Sequence, residues 1–215
     1  MENRHDKTHA RSEIYRCLGS AFTLPTEGYF PSIAELRAYA THCETVHPPA
    51  ASSARELLSA AENDDLNEIL VEYSHLFIGP FNIPAPPYGS VYLDEGRMMG
   101  DSTIKAVEFY RESGLELDES FPDVPDHISV EFEFMQHLCH QQWKAEVNDD
   151  VRIALSQVRR QLEFATRFLI NWLPRFSASI LEHTDNAFYV ALISNLTTVI
   201  DLDVALIERA CRDGS

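Results

Sequence analysis

FPDVPDHISVEFEFMQHL, residues 121–138, carries two incompatible periodicities. Val130-Glu131-Phe132-Glu133-Phe134 alternates apolar and acidic residues, the repeat of a half-buried strand. Val124-Pro125-Asp126-His127 reads as a helix entry, with a proline, a capping acid and then a run free of Gly and Pro. The flanks decide between them. Ile128, Phe132, Met135 and Leu138-Cys139 continue one helical face, and Val130 and Phe134 widen it. A helix apolar on more than one side is the central helix of a bundle, so the sequence predicts a helix from Asp126 to about Lys144.

The same spacing extends in both directions. Ile14, Tyr15, Leu18 and Phe22 share a face that stops before Pro25. Ser32-Ile33-Ala34-Glu35 has the spacing of a capping box, opening a helix that Pro48-Pro49 ends. A short helix is expected over Ala54 to Ala61. Asp64 or Asp65 then caps one carrying Leu66, Ile69, Leu70, Tyr73, Leu76 and Phe77, which Gly79-Pro80 terminates. Residues 80–101 hold four prolines and three glycines among Phe81, Tyr88, Val91 and Tyr92, the composition of a loop that must pack on something. Helix resumes at Ser102-Thr103 and ends at Gly114. Beyond an acidic segment at 115–125, long helices are expected over Asp149 to Trp172 and Asn186 to about Arg209, with a short one after Pro174. The reading is all-α: one domain, 1–215, with an N-terminal half 1–114, an acidic hinge 115–125 and a C-terminal half 126–215.

Composition narrows the function. The formal charge is -17, from 34 acids against 17 Lys plus Arg, which disfavours nucleic acid or an anionic membrane as partner and suits a basic peptide. The four cysteines are scattered, the pattern of reduced thiols in a cytoplasmic protein. The N-terminus lacks the apolar core of a secretory signal, and the uninterrupted apolar runs are too short to span a membrane.

Enzyme signatures are absent: no phosphate-binding loop, dinucleotide fingerprint or nucleophile elbow occurs. Glu133, His137 and His140 fall on one face of the 126–144 helix and could bind a metal, although exposed polar positions on an amphipathic helix share that spacing. Asp126 has the plain role of a helix cap. His127 stands where the helix dipole opposes protonation and nearby carboxylates favour it. Nine acids against one base, Arg111, lie between 108 and 133, a surface suited to receive arginines. The aromatic helix end at Tyr73, Leu76 and Phe77 leads into Pro86-Pro87-Tyr88-Gly89-Ser90, and rigid aromatics beside prolines make a low-entropy receptor for an apolar peptide.

Three ordered segments carry a resemblance. They are Glu72-Tyr73-Ser74-His75-Leu76-Phe77-Ile78-Gly79-Pro80, Ala85-Pro86-Pro87-Tyr88-Gly89-Ser90-Val91-Tyr92-Leu93-Asp94, and Pro125-Asp126-His127-Ile128 followed by Glu131-Phe132-Glu133-Phe134-Met135. With weaker similarity around Phe164, Trp172 to Phe176 and Phe188-Tyr189, the chain resembles the TorD/DmsD family of molybdoenzyme maturation chaperones. The resemblance implies a TorD-like helical bundle and a cytoplasmic, non-catalytic chaperone without cofactor. Its partner would be the twin-arginine leader or apo form of a molybdopterin oxidoreductase, bound before export. On matching positions it points to Tyr73, Leu76, Phe77, Pro87, Tyr88, Ser90, Asp126 and His127, and the Pro-rich motif adds Pro86. Where the family's late helix often has a histidine four residues before its Trp, this chain has Phe168, so no role of that histidine carries over. The family's link to guanine nucleotide has no independent signal here. The rival readings are a metal-dependent enzyme using Glu133/His137/His140 and a structural oligomeriser. Either a monomer or a dimer swapped across the hinge is compatible with the sequence.

Overall fold

Helix α7, Ile128–Val147, is the axis on which its neighbours pack, in a computed structural model that describes residues 4–79, 83–115 and 124–214. Ile128, Val130, Phe132, Phe134, Met135, Leu138 and Cys139 are all buried, as the helical reading requires. The two acids of VEFEF part company: Glu133 faces solvent while Glu131 is 1% exposed. Helix α1, Arg4–Ala21, runs along α7. Gly19 permits a close approach there, since a Cβ at that position would lie 3.3 Å from the Ser129 carbonyl oxygen.

Around this pair, α2 (Ile33–Val46) packs on α1, α3 (Ala51–Asn63) on α2, and the long α10 (Ala187–Asp213) on α3, while α8 (Val151–Phe164) covers another side of α7. Helices from both sides of the acidic segment therefore share one core. The described residues form no strand, only an isolated antiparallel bridge between Tyr88 and His127.

Local chemistry sets the element ends. Ser32 and Glu35 form the expected capping box, each side chain bonding the other's backbone N–H. Asp65 caps α4, Leu66–Tyr73, while Asp64 accepts from the side-chain amide of Asn186 and the backbone N–H of Phe188 at the start of α10. Gly114, with φ of +80°, closes α6, Asp101–Glu112. Asn186 caps α10 through Tyr189. Cys17, Cys43 and Cys139 are buried free thiols, each pushed up to about 12 by burial.

Several sequence expectations need correction. Residues 80–101 are not all loop, because Gly89–Leu93 forms the short helix α5. Helix α4 continues into a π-turn at Ser74–Ile78. The single helix expected over Asp149 to Trp172 is interrupted by a second π-turn, Ala165–Leu169, which joins α8 to α9, Ile170–His183. Pro174 lies inside α9 rather than before a new helix. The widened turn upstream is stabilised by Asn171, whose side-chain amide donates to the carbonyls of Thr166 and Arg167. Finally, α7 begins at Ile128, not Asp126.

By length and composition α10 could cross a membrane, but its buried face includes Asn195 and Asp203, both bonded within the protein. Asp203 anchors a polar core. Arg11 of α1 donates to it twice, at 2.7 and 2.9 Å, and also reaches Gln142 of α7 and Gln161 of α8. Tyr15 donates to Asp203 at 2.8 Å, and Nε2 of His47 lies 3.1 Å away. Burial alone would raise the Asp203 carboxyl, but the Arg11 charge overrides it and holds that carboxyl well below the usual range.

A folded-state pKa that is depressed gives stability that is complete above the unfolded value and drains away as pH falls through the folded one. Asp203→Ala should cost about 3–5 kcal/mol in urea unfolding near neutrality, because it strands a buried guanidinium. The Arg11→Met/Asp203→Leu pair should lose much less. Wild type should lose the advantage over the double variant on acidification.

Candidate functional site

The residues singled out from the sequence converge on one junction, at two depths. Ile128 donates its backbone N–H to the Pro87 carbonyl at 2.9 Å, and Gly89 donates to the Asp126 carbonyl at 2.9 Å. These bonds flank the Tyr88–His127 bridge, where the two rings meet edge to face at 5.3 Å. Pro86 and Tyr88 are partly exposed, whereas Pro87, Ser90, Asp126 and His127 are buried.

Tyr73, Leu76 and Phe77 lie deeper. Phe77 packs against Tyr73 at 5.0 Å, Tyr189 at 5.6 Å and Phe22 at 6.1 Å, and the Tyr73 hydroxyl donates to the Phe22 carbonyl. Ala85 donates its N–H to the Leu76 carbonyl at 3.0 Å and seats the Pro-rich segment over that helix end. Tyr73 and Phe77 are thus buried, whereas Tyr88 is partly exposed and meets His127.

Asp126 caps a helix, but not its own. Its Oδ2 accepts the backbone N–H of Ser90, at the start of α5, at 2.6 Å. The cap of α7 is His127, whose Nδ1 accepts the Ser129 N–H and lies 2.7 Å from the Ser129 hydroxyl. An Nδ1 that accepts a backbone N–H carries no proton, which fixes the ring tautomer there. Ser90 in turn accepts the Met99 N–H through its hydroxyl. One carboxylate and one imidazole thus start two helices and join segments 36 residues apart.

Sequence reasoning missed the layer beneath. Glu131 accepts from the indole N–H of the fully buried Trp172 at 3.1 Å. Gly89 fits against both: a Cβ there would stand 3.1 Å from Trp172 Nε1 and 3.3 Å from Glu131 Oε1. Burial holds the Glu131 carboxyl well above the ordinary range; the indole bond opposes this and the Asp126 charge adds to it. The Asp126 Oδ1 is buried without a hydrogen-bond partner. Only the period-2 pattern hinted at Glu131, and it pointed to solvent.

Two of the nine acids do not belong to the expected acidic surface. Asp126 and Glu131 are internal, and Glu116, Asp118, Glu119 and Asp123 lie outside the described residues. Glu108, Glu112 and Glu133 are exposed, and Arg160 approaches Glu112 at 3.6 Å. Among the described residues no group of three His, Cys, Asp or Glu could hold a metal, so Glu133, His137 and His140 do not form the metal site that their spacing allows. His140 packs instead on Trp143 at 5.2 Å. Phe168 packs between Phe109 and Phe164.

The family model for the nitrate reductase delta subunit matches residues 44–178, which include the Pro-rich segment, α5 and the whole of α7. The chain belongs to this family of TorD/DmsD-type redox-enzyme maturation chaperones. The chaperone protein TorD of Shewanella oneidensis is 28% identical over 219 residues, covering 95% of this chain and 93% of its own. TorD of Photobacterium profundum is 31% identical over 141 residues, 65% and 64% of the two chains. A redox enzyme maturation protein from Archaeoglobus fulgidus superimposes with a TM-score of 0.51 and 25% identity, over 86% of this chain and 93% of that one. As a family member the protein is a chaperone and not a catalyst.

Helix α7 thus carries a carboxyl, Glu131, that burial holds well above its ordinary range. A folded pKa raised above the ordinary 4.5 means that stability is lost as pH rises from there towards the folded value. Glu131→Gln keeps an acceptor for Trp172 and removes that loss. The variant should gain thermal stability over wild type, and by more at pH 8 than at pH 5, in melts followed by circular dichroism.

Proposed function

We propose that this protein is a cytoplasmic, client-specific chaperone for a molybdopterin oxidoreductase, and that it binds the client's twin-arginine leader, its apo form, or both while cofactor is inserted. What supports the reading is the junction of Pro86, Pro87, Tyr88, Ser90, Asp126 and His127, a bonded meeting point of two segments with a partly exposed aromatic at its edge. The names of the similar proteins, a nitrate reductase subunit, TorD chaperones and a redox enzyme maturation protein, agree with it.

In this proposal Tyr88 and Pro86 make the first contact with the leader's apolar stretch. Tyr73, Leu76 and Phe77 join when the Pro-rich segment lifts from the Leu76 carbonyl, a change that exposes rigid aromatic surface at low entropic cost. The leader's arginines meet exposed acids such as Glu108, Glu112 and Glu133, in keeping with the charge of -17. His127 and Asp126 order the junction and transmit its opening to α5 and α7.

Calorimetric titration with a twin-arginine leader peptide tests this. Binding should weaken when the arginine pair is replaced, when salt is raised, and in Tyr88→Ala and His127→Ala proteins shown to be folded. Loss of one buried aromatic contact should weaken it about tenfold or more. Unchanged affinity in both folded variants would remove the junction from the reading.

A further inference from the structure

Trp143, near the end of α7, stands partly exposed between two histidines from different helices. His9 of α1 meets its ring at 5.0 Å, edge to face, and His140 of α7 lies 5.2 Å away, tilted by 32°. His42 of α2 lies close enough to His9 to feel its charge, and His137 of α7 stands in the same relation to His140. Three helices thus bring His42, His9, His140 and His137 into one run of partly exposed imidazoles around a single indole. The run shares no residue with the Tyr88/His127 junction.

The surrounding charges oppose protonation. Burial lowers the His42, His137 and His140 rings below the ordinary 6.5. Neighbouring cations add to it: His9 and Arg16 at His42, His140 and Lys144 at His137, Lys144 and His9 at His140. Glu13 of α1 works the other way at His42 and His140, but it is shared with Arg16, which bonds it at 2.9 Å and Glu35 of α2 at 3.0 Å. One imidazolium would gain from the indole face; a second would confront the first and Lys144.

The seam beneath this run is tied to the polar core. Thr8 and Arg11, on either side of His9, both bond Gln142, the neighbour of Trp143. We infer that Trp143 and its four histidines form an acid-sensitive latch on the α1–α7 seam, closed while the rings are neutral and loosened once two or more of them are protonated. The latch does not depend on the leader-binding reading. A histidine held below its ordinary range gives stability that is complete above that range and is lost as pH falls towards the folded value. The loss therefore comes in mild acid, above the pH at which Asp203 takes up its proton.

The test is a titration of the isotope-labelled full chain from pH 8 to pH 5, followed by NMR. The chain has two tryptophans, so two indole N–H signals are expected, and Trp143→Phe identifies which belongs to the latch. The Trp143 signal should titrate with a midpoint below 6.5. Below that midpoint the α1 amides around His9 should lose protection from exchange relative to those around Leu18. In His9→Gln the ring midpoints of His42 and His140 should rise together, because both lose the same neighbouring charge. Between pH 7 and pH 5.5 wild type should drop in melting temperature by about 2–4 °C more than His9→Gln/His140→Gln. All the replaced residues are partly exposed, and matching circular dichroism spectra at pH 8 confirm that the variants fold. A Trp143 signal that does not titrate, unchanged His42 and His140 midpoints in His9→Gln, even loss of protection along α1, or an equal drop in melting temperature would each overturn the latch.

Discussion

A guanidinium in the core constrains everything around it. Arginine cannot shed its proton, so once Arg11 is buried the fold must surround it with acceptors. They come from three helices: the Asp203 carboxylate from α10, Gln142 from α7 and Gln161 from α8. The two glutamines are themselves bonded, Gln161 to Gln142 at 2.9 Å, and Gln142 passes on to Glu146. A chain of fixed donors and acceptors of this kind has few satisfactory arrangements, so a small rotation of any one helix breaks several bonds at once. Apolar packing alone would permit many near-equivalent bundles from the same helices. The polar centre selects one.

The aromatic layer is built on that frame. Phe22, Phe77, Phe176 and Tyr189 bring α1, the π-turn after α4, α9 and α10 into one cluster, over which the Pro-rich segment lies. Both π-turns occur at aromatic junctions, Ser74–Ile78 with Phe77 and Ala165–Leu169 with Phe168. An extra residue in a helical turn rotates the side chains beyond it, and here it aims a large ring inward. Tyr92, stacked on Trp172 at 5.4 Å and with the Arg175 guanidinium 5.5 Å from its ring centre, extends the layer to α5. The junction is thus the upper edge of a continuous packed system.

Most helices were legible in the sequence because their signals are local. Ser32 and Glu35 announce a start, Gly114 an end, and the spacing through Ile128, Phe132 and Met135 outweighs five alternating residues. The failures share a different cause. Helix α5 has no local start signal, since its cap, Asp126, is 36 residues on. The π-turns have no residue code, and Pro174, a residue that ordinarily breaks a helix, lies inside α9. Arg11 and Asp203 are 192 positions apart, and nothing in either neighbourhood marks them as partners. At the site, residue types were legible and depth was not: the motif around Tyr73, Leu76 and Phe77 reads equally well as surface or as core. Glu131 illustrates the same limit, since its burial depends on Trp172, a residue of another helix.

The last helix has a consequence for the order in which this protein can be made. Tyr39 donates to Asn195, and Arg11, Tyr15 and His47 all turn to Asp203, so polar groups from the first quarter of the chain find their partners on α10. During synthesis the early helices emerge with these groups still dependent on water, and they cannot close their shared core dry until α10 has followed them. The early helices therefore wait for α10, and the groups that make them wait lie on α1, on α2 and at its end. A chain cut short of Asp203 keeps the Arg11 guanidinium without the carboxylate that allows its burial.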